Sequence, residues 1–165
     1  MTKPMKRKRQ RSPLRPIIWL VSVAAAISVA IVPWSRQNSS ADDHELTKQE
    51  LLQVQRGYPF YLSEEEAMPL PRTLPAEFVP AGYIAHAYRV AEEIPSVLAQ
   101  QPCFCECRRM GHKSLLFCYA SHHAAGCTIC AQEALLAEQM TNAGKTPSQI
   151  RNSIIKGQWR RQALE

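Results

Sequence analysis

The stretch CTICAQEALLAEQMTNAG, residues 127–144, decides the fold class of this 165-residue chain. Alanine, leucine, glutamate and glutamine dominate it, and these residues are among the stronger helix formers. Asn142 and Gly144 stand at its end, where a residue with left-handed backbone commonly terminates a helix. The stretch therefore predicts a helix that begins near Cys127.

Helical patterns continue on both sides of this stretch. Downstream, Thr146, Pro147 and Gln149 supply a capping-box threonine, a first-turn proline and a reciprocal glutamine, which together predict another helix start. Upstream, apolar residues recur at three- and four-residue steps over residues 81–102. Pro95 interrupts that pattern and predicts a bend or a restart of the helix.

Shorter helices are predicted over residues 46–57, ended by Gly57, and over residues 113–125. Residues 58–80 carry five prolines, which forbids a long helix and predicts an extended, aromatic-bearing segment against a helical core. The sequence contains no alternating apolar stretch typical of a strand. The predicted class is all-α, a small helical domain with an irregular cysteine-rich loop around Gly111.

The positive charge of the chain is concentrated at its N-terminus. Seven of the 20 lysines and arginines lie within residues 1–15, and the rest of the chain has thirteen basic and fourteen acidic residues, a net charge of −1. This near-neutral remainder argues against nucleic-acid binding, which needs a clustered basic face. Residues 16–34 carry no charge, and a membrane-spanning helix needs roughly 20 apolar residues. Because basic flanks stay in the cytoplasm, we expect a basic cytoplasmic tail followed by a single N-terminal transmembrane signal-anchor.

The apolar segment has an alternative fate, which is removal as a secretory signal peptide after the small residues 39–41. The uncleaved anchor is favoured, because the apolar run is long and ends several residues before that site. The predicted organisation is then a linker with a short helix over residues 35–57 and a cysteine-rich helical domain outside the membrane over residues 58–165. The lipid bilayer becomes a partner through residues 16–34.

Soft metal ligands are crowded into one part of the chain. All six cysteines and three of the five histidines lie between residues 103 and 130. Thiolates are ligands of choice for Cu(I) and zinc, and imidazole suits zinc and several other metals. The pair Cys127 and Cys130 stands at a predicted helix start, where the helix dipole favours the thiolate form. The thiols of Cys103, Cys105 and Cys107 either project to one side of an extended strip or wrap around an ion in a loop.

Two other interpretations of the cysteines stay open at the sequence level. Six cysteines outside the membrane could form disulfides that staple the loop to the helices, giving an interaction module without metal. The Cys-x-x-Cys pair at residues 127–130 also has the spacing of a thiol–disulfide oxidoreductase. Such redox motifs usually follow a strand of a βαβ unit, which the sequence does not predict.

The sequence QPCFCECRRMGHKSLLFCYASHHAAGCTICAQEALLAEQMTNAGKTPSQIRNSI resembles the bacterial PCYCGC-motif family of exported, cysteine-rich proteins, which are often lipoproteins. The resemblance covers roughly residues 81–157. Phe104 stands for the tyrosine of the motif and Glu106 for its glycine, and no cysteine precedes Cys103 to carry a lipid. The matching positions are Pro102, Cys103, Cys105, Cys107, Gly111, His112, Cys118, His123, Cys127, Cys130, Gly144, Ile150 and Arg151.

The resemblance implies an exported cysteine-rich module and carries no established activity with it. Together with the anchor, it implies a single-pass protein of the bacterial cell membrane whose N-terminus is cytoplasmic and whose C-terminal domain is extracytoplasmic. It also favours His123 over its neighbour His122 as a ligand, because the family has a histidine shortly before its Cys-x-x-Cys pair.

The sequence thus predicts a membrane-anchored metal-binding protein that handles, stores or delivers Cu(I), or zinc as second choice, with a metal-donor or metal-acceptor protein as partner. No catalytic residues are predicted. The predicted metal ligands are Cys103, Cys105, Cys107, Cys118, Cys127, Cys130, His112 and His123.

Overall fold

The computed structural model describes residues 45–164, and this part of the chain is an all-α domain without β-strands. The six α-helices within it are α1 (Lys48–Gly57), α2 (Glu64–Ala67), α3 (Tyr83–Glu93), α4 (Pro95–Ala99), α5 (Thr128–Asn142) and α6 (Pro147–Ile155). Five 3₁₀ turns join them: Ala76–Phe78, Cys107–Met110, Leu115–Tyr119, His122–Gly126 and Gln158–Arg161. The predicted all-α class is therefore confirmed for the described residues.

None of the helices within residues 45–164 has the length and apolar character needed to cross a membrane. The predicted cytoplasmic tail at 1–15, the transmembrane segment at 16–34 and the alternative cleavage site at 39–41 lie outside the described residues. These three stay predictions from the sequence.

Side-chain caps fix the starts of the first and last α-helices. At α1 the backbone N–H of Glu50 donates to Thr47 Oγ1 at 3.3 Å, and the N–H of Thr47 donates to the Glu50 carboxylate at 2.8 Å. Thr146 and Gln149 make the same reciprocal pair at α6, with Pro147 in its first turn. Each cap satisfies N–H groups that have no partner inside the helix, so both predicted helix starts are confirmed.

The hydrophobic core forms where α3 and α5 pack together. Burial is nearly complete for Tyr88 and Val90 of α3 and for Ala134 and Ala137 of α5, and alanines on both helices permit a close approach. The predicted break at Pro95 is also confirmed, because α3 ends at Glu93 and α4 restarts at Pro95. The core thus gives the cysteine-bearing segments a rigid base.

The prediction of a single helix over residues 113–125 is wrong. Two 3₁₀ turns stand in its place, separated by Ser121 in extended conformation, φ −152° and ψ −175°. The Ser121 side chain accepts a hydrogen bond from the N–H of His123, and serine often competes with helix in this way. The two turns place Cys118 and His123 on separate short segments that face the same loop.

The proline-rich segment 58–80 lies against the helices, as predicted. The N–H of Tyr61 donates to the carbonyl of Ala99 at 3.2 Å, and that of Leu74 donates to the carbonyl of Tyr119 at 2.8 Å. Phe60 is buried with 3% of its surface exposed. The segment is less uniformly extended than predicted, because α2 and one 3₁₀ turn interrupt it.

The chain that enters the cysteine loop is held by a buried arginine. Arg151 of α6 donates from Nε to the carbonyl of Gln100 at 2.9 Å, and its guanidinium lies over the Phe60 ring at 5.0 Å. The next residue, Gln101, donates from its side chain to the carbonyls of Val97 and Pro147. These bonds fix the backbone immediately before Cys103.

Candidate metal centre

The first three cysteines lie on a loop that wraps around a small volume. Glu106 adopts a left-handed conformation with φ 61° and ψ 17°, the only positive φ of a non-glycine residue in the part of the chain described. A 3₁₀ turn begins at the next residue, Cys107. Of the two arrangements open from sequence, the structure therefore has the wrapped loop. The motif glycine that Glu106 replaces would adopt this conformation without steric cost.

The remaining ligand candidates come from three other segments and from the end of this loop. Cys118 lies on the 3₁₀ turn Leu115–Tyr119, and His123 lies on the following turn. Cys130 lies in the first turn of α5, and Cys127 is its N-cap residue, close to the predicted helix start. His112 follows Gly111, whose φ of 83° ends the turn after Cys107. Four backbone segments thus converge on one place.

The converging side chains are in direct contact. The sulfur–sulfur separations are 3.2 Å for Cys103–Cys105, 3.4 Å for Cys107–Cys118, 3.5 Å for Cys105–Cys130 and 3.6 Å for Cys103–Cys130. The imidazole contacts are His123 Nε2 to Cys105 Sγ at 3.5 Å and His112 Nδ1 to Cys118 Sγ at 3.4 Å. All six cysteines are free thiols. A disulfide has a sulfur–sulfur distance of about 2.05 Å, so these are non-bonded contacts.

Three overlapping groups of four donor atoms could each hold a metal ion. In each group, every donor atom lies within 4.8 Å of every other. The groups are Cys103, Cys105, Cys107 and Cys118; Cys105, Cys118, His123 and Cys130; and Cys107, His112, Cys118 and His123. Seven of the eight predicted ligands are thus brought together, and Cys118 belongs to all three groups.

The seven donors fall into two sets that differ in how much of their surface is exposed to solvent. Cys103, Cys107, Cys118 and Cys130 are buried, each with at most 5% of its surface exposed, and are called the inner donors below. The outer donors, Cys105, His112 and His123, are only half-buried. A metal ion among these donors is therefore shielded from water on the core side and reachable from the other.

Hydrogen bonds between the thiols shift their pKa values in opposite directions. Their contacts with Cys103 lower the pKa of Cys105 and of Cys107. The hydrogen bond with Cys105 raises the pKa of Cys103, and hydrogen bonds with Cys103, Cys105 and Cys107 raise that of Cys118. Burial adds to both rises. Burial, with the charge of His123 as a lesser cause, lowers the pKa of His112, so its neutral imidazole keeps a lone pair for a metal.

Two candidates near the cluster are in none of the three donor groups. Cys127, one of the eight predicted ligands, is in none of the three groups found within residues 45–164. Its thiol is half-buried, and a hydrogen bond with Cys105 together with burial raises its pKa. His122 is exposed and also outside the groups, whereas His123 is inside two of them. His123, unlike His122, therefore lies among the candidate donors.

A buried carboxyl group supports the loop and is absent from the predicted ligands. Glu133 of α5 is fully buried, and its Oε1 accepts the backbone N–H of Phe104 at 2.8 Å. Its other oxygen, Oε2, has no hydrogen-bond partner among the described residues, and burial raises the pKa of the group well above its usual value. The sequence signal that could have identified Glu133 is its position three residues after Cys130, because residues three apart on a helix lie on the same face.

Aromatic residues and α1 brace the loop on its other sides. The Tyr58 ring lies 4.3 Å from that of Phe104, centroid to centroid, and Arg108 donates to the carbonyl of Arg56 at 2.9 Å. In the core, the Tyr119 hydroxyl donates to the carbonyl of Cys130 at 2.7 Å. The donors are therefore held by backbone bonds and packing as well as by their mutual contacts.

Comparison of the chain with family models, curated protein sequences and solved structures gave no match. The resemblance to the PCYCGC-motif family therefore rests on the motif residues, and membership of that family stays a prediction. The structure itself establishes a small all-α domain with a cysteine and histidine cluster that could hold a metal ion.

Proposed function

We propose that this protein binds a soft transition metal, Cu(I) first and zinc second, and handles, stores or delivers it. The observation that carries the proposal is the set of three overlapping donor groups, in which five thiols and two imidazoles converge. Thiolate and imidazole ligands together are typical of Cu(I) and zinc sites and unlike the oxygen sites of magnesium or calcium. The proposal rests on these seven donors.

The spacing of the donor atoms supports metal binding. Zinc bound tetrahedrally at about 2.3 Å from each sulfur separates the sulfurs by about 3.8 Å. The observed separations of 3.2 to 3.6 Å are slightly shorter, so a small outward movement of the thiols admits an ion. Proton release from the thiols accompanies such binding.

A membrane location is the second part of the proposal. It rests on the basic residues 1–15 and the uncharged segment 16–34, which favour a single-pass anchor with the domain outside the cytoplasm. In that oxidising environment, thiols without metal oxidise to disulfides. The metal must therefore reach the cluster first, and a metal-donor protein is the partner that would supply it. A metal-acceptor protein would receive the ion through the half-buried outer donors.

The proposed test measures metal and thiols on the same full-length sample, purified anaerobically in detergent. We expect bound copper or zinc by mass spectrometry and thiols that react only after a chelator removes the metal. Absence of metal, together with no free thiols after unfolding without reductant, would instead establish the disulfide-stapled module. A single reactive thiol that turns over a dithiol substrate would establish the oxidoreductase. The raised pKa of Cys127 argues against that function, because a reactive cysteine of an oxidoreductase has a lowered pKa.

A further inference from the structure

We propose that the cluster holds at least two Cu(I) ions and that the Cys118 thiolate bridges them. This inference rests on the proposed function and concerns how many ions the same donors take. The relevant features are the number of donors, the way the groups overlap, and the burial of the residue at which they overlap.

The number of donors exceeds what one ion can use. A single Cu(I) or zinc ion in a protein thiolate site takes up to four ligands, whereas seven donor side chains belong to the three groups. Any one ion therefore leaves at least three donors of the cluster without metal. Two of the groups, moreover, differ in two of their four donors: one has Cys103 and Cys105 where the other has His112 and His123.

The overlap of the groups identifies the bridging ligand. Cys118 is the one donor common to all three, while Cys105, Cys107 and His123 each belong to two. Its sulfur lies 3.4 Å from Cys107 Sγ and also 3.4 Å from His112 Nδ1. Ions in two of these groups must share its sulfur, and a thiolate has several lone pairs with which to bind more than one soft cation.

Burial favours several monovalent ions over one. Cys118 and Cys130 have no exposed surface, and Cys103 and Cys107 have 5% each. Buried thiolates are costly unless their negative charge is offset. Each further Cu(I) offsets one thiolate, so binding additional ions allows more of the five thiols to ionise without leaving uncompensated charge in the core.

The test is an anaerobic titration of the full-length protein with Cu(I), in detergent and against a chromophoric Cu(I) chelator. We expect saturation at two or more copper ions per chain, counted by native mass spectrometry. Copper-edge X-ray absorption of the saturated wild-type protein should show copper–copper scattering, a readout that needs no variant. Saturation at one tightly held ion would overturn this inference and leave the proposed function intact, whereas no retained copper would overturn both.

The bridging role of Cys118 is tested with a matched pair of variants. Cys118→Ser should lower the number of bound ions by at least one and remove the copper–copper scattering. Cys127→Ser deletes a thiol outside the three groups and should keep the wild-type number. Circular dichroism verifies folding of both variants, and for a Cys118→Ser protein that fails to fold, Cys118→Ala takes its place. Equal losses in folded Cys118 and Cys127 variants would overturn the assignment.

Discussion

The inner and outer donors belong to one cluster and differ in their surroundings. Cys118 and Cys130 have no exposed surface and lie in the core, where the Tyr119 hydroxyl donates to the carbonyl of Cys130, whereas Cys105 and His123 have part of their surface in water. Buried ligands are fixed by packing and exclude water, while half-buried ligands can be replaced by those of a partner. For the metal binding proposed above, we therefore expect the inner donors to set how tightly metal is held and the outer donors to set how fast it exchanges.

The largest expected loss of metal affinity comes from replacing an inner donor. Cys130→Ser replaces a fully buried thiol by a hydroxyl. Loss of a group that only supports a metal ligand lowers metal affinity by up to about 100-fold, and we expect loss of this ligand itself to lower Cu(I) affinity by more. Competition with a Cu(I) chelator measures the affinity. Cys105→Ser is the outer comparison and should cost less. Equal losses of affinity would show that burial does not distinguish the two kinds of donor.

The second effect concerns the buried carboxyl group behind the inner donors. Glu133→Leu removes the acceptor of the Phe104 N–H, and we expect metal affinity to fall by about 10- to 100-fold because the loop is no longer positioned. Glu133→Gln keeps a carbonyl acceptor and should retain most of the affinity. If Gln were as damaging as Leu, the hydrogen bond to the Phe104 N–H would not be what positions the loop.

A smaller effect is expected from the outer imidazoles. His123→Ala removes a half-buried donor shared by two groups, and we expect metal to be released several-fold faster, since the inner thiolates remain. Stopped-flow transfer to a chelator measures the release rate. His122→Ala alters the exposed neighbouring imidazole and is the matched control, with an unchanged rate expected. A rate that responded equally to both substitutions would contradict the assignment of His123.

The smallest effect concerns the residue between an outer and an inner cysteine. Glu106→Gly relieves the steric cost of a side chain at φ 61°, and we expect the free energy of unfolding to rise by about 1 kcal/mol. The exposed ion pair with Arg109 that is lost contributes little. Gly111→Ala, at φ 83°, should lower the free energy by a similar amount. Denaturant unfolding of the metal-free, reduced protein gives both values, and a destabilised Glu106→Gly protein would contradict the expectation.

Features set by neighbouring residues could be predicted from the sequence. The Thr146 and Gln149 cap, the restart at Pro95 and the helix start near Cys127 each depend on a few adjacent residues and were correct. The clustering of thiols and imidazoles also followed from their density in the chain. Local sequence was misleading over residues 113–125, where Ser121 interrupts an otherwise helical composition.

Features that depend on contacts between residues far apart in the sequence could not be predicted from sequence patterns. Glu133 supports the loop through Phe104, which lies 29 positions earlier, so helix periodicity alone could not reveal its partner. Cys127 is in none of the donor groups, although its spacing from Cys130 is that of a chelating pair. The left-handed backbone of Glu106 is instead a local feature: the motif glycine indicates such a turn, glutamate in its place put that turn in doubt, and the structure has the turn at φ 61°.

The bond from Arg151 to the carbonyl of Gln100 has a consequence for the timing of synthesis. Chains grow from the N-terminus, so every donor up to Cys130 leaves the ribosome before Arg151 does. Until α6 docks, the entry to the cysteine loop lacks its anchor. A metal ion that arrives on the nascent chain meets loosely held thiols, whereas one that arrives after completion meets thiols already gathered. For the metal binding proposed above, the order of these events decides whether the ion enters a site that has already folded or draws the donors together as it binds.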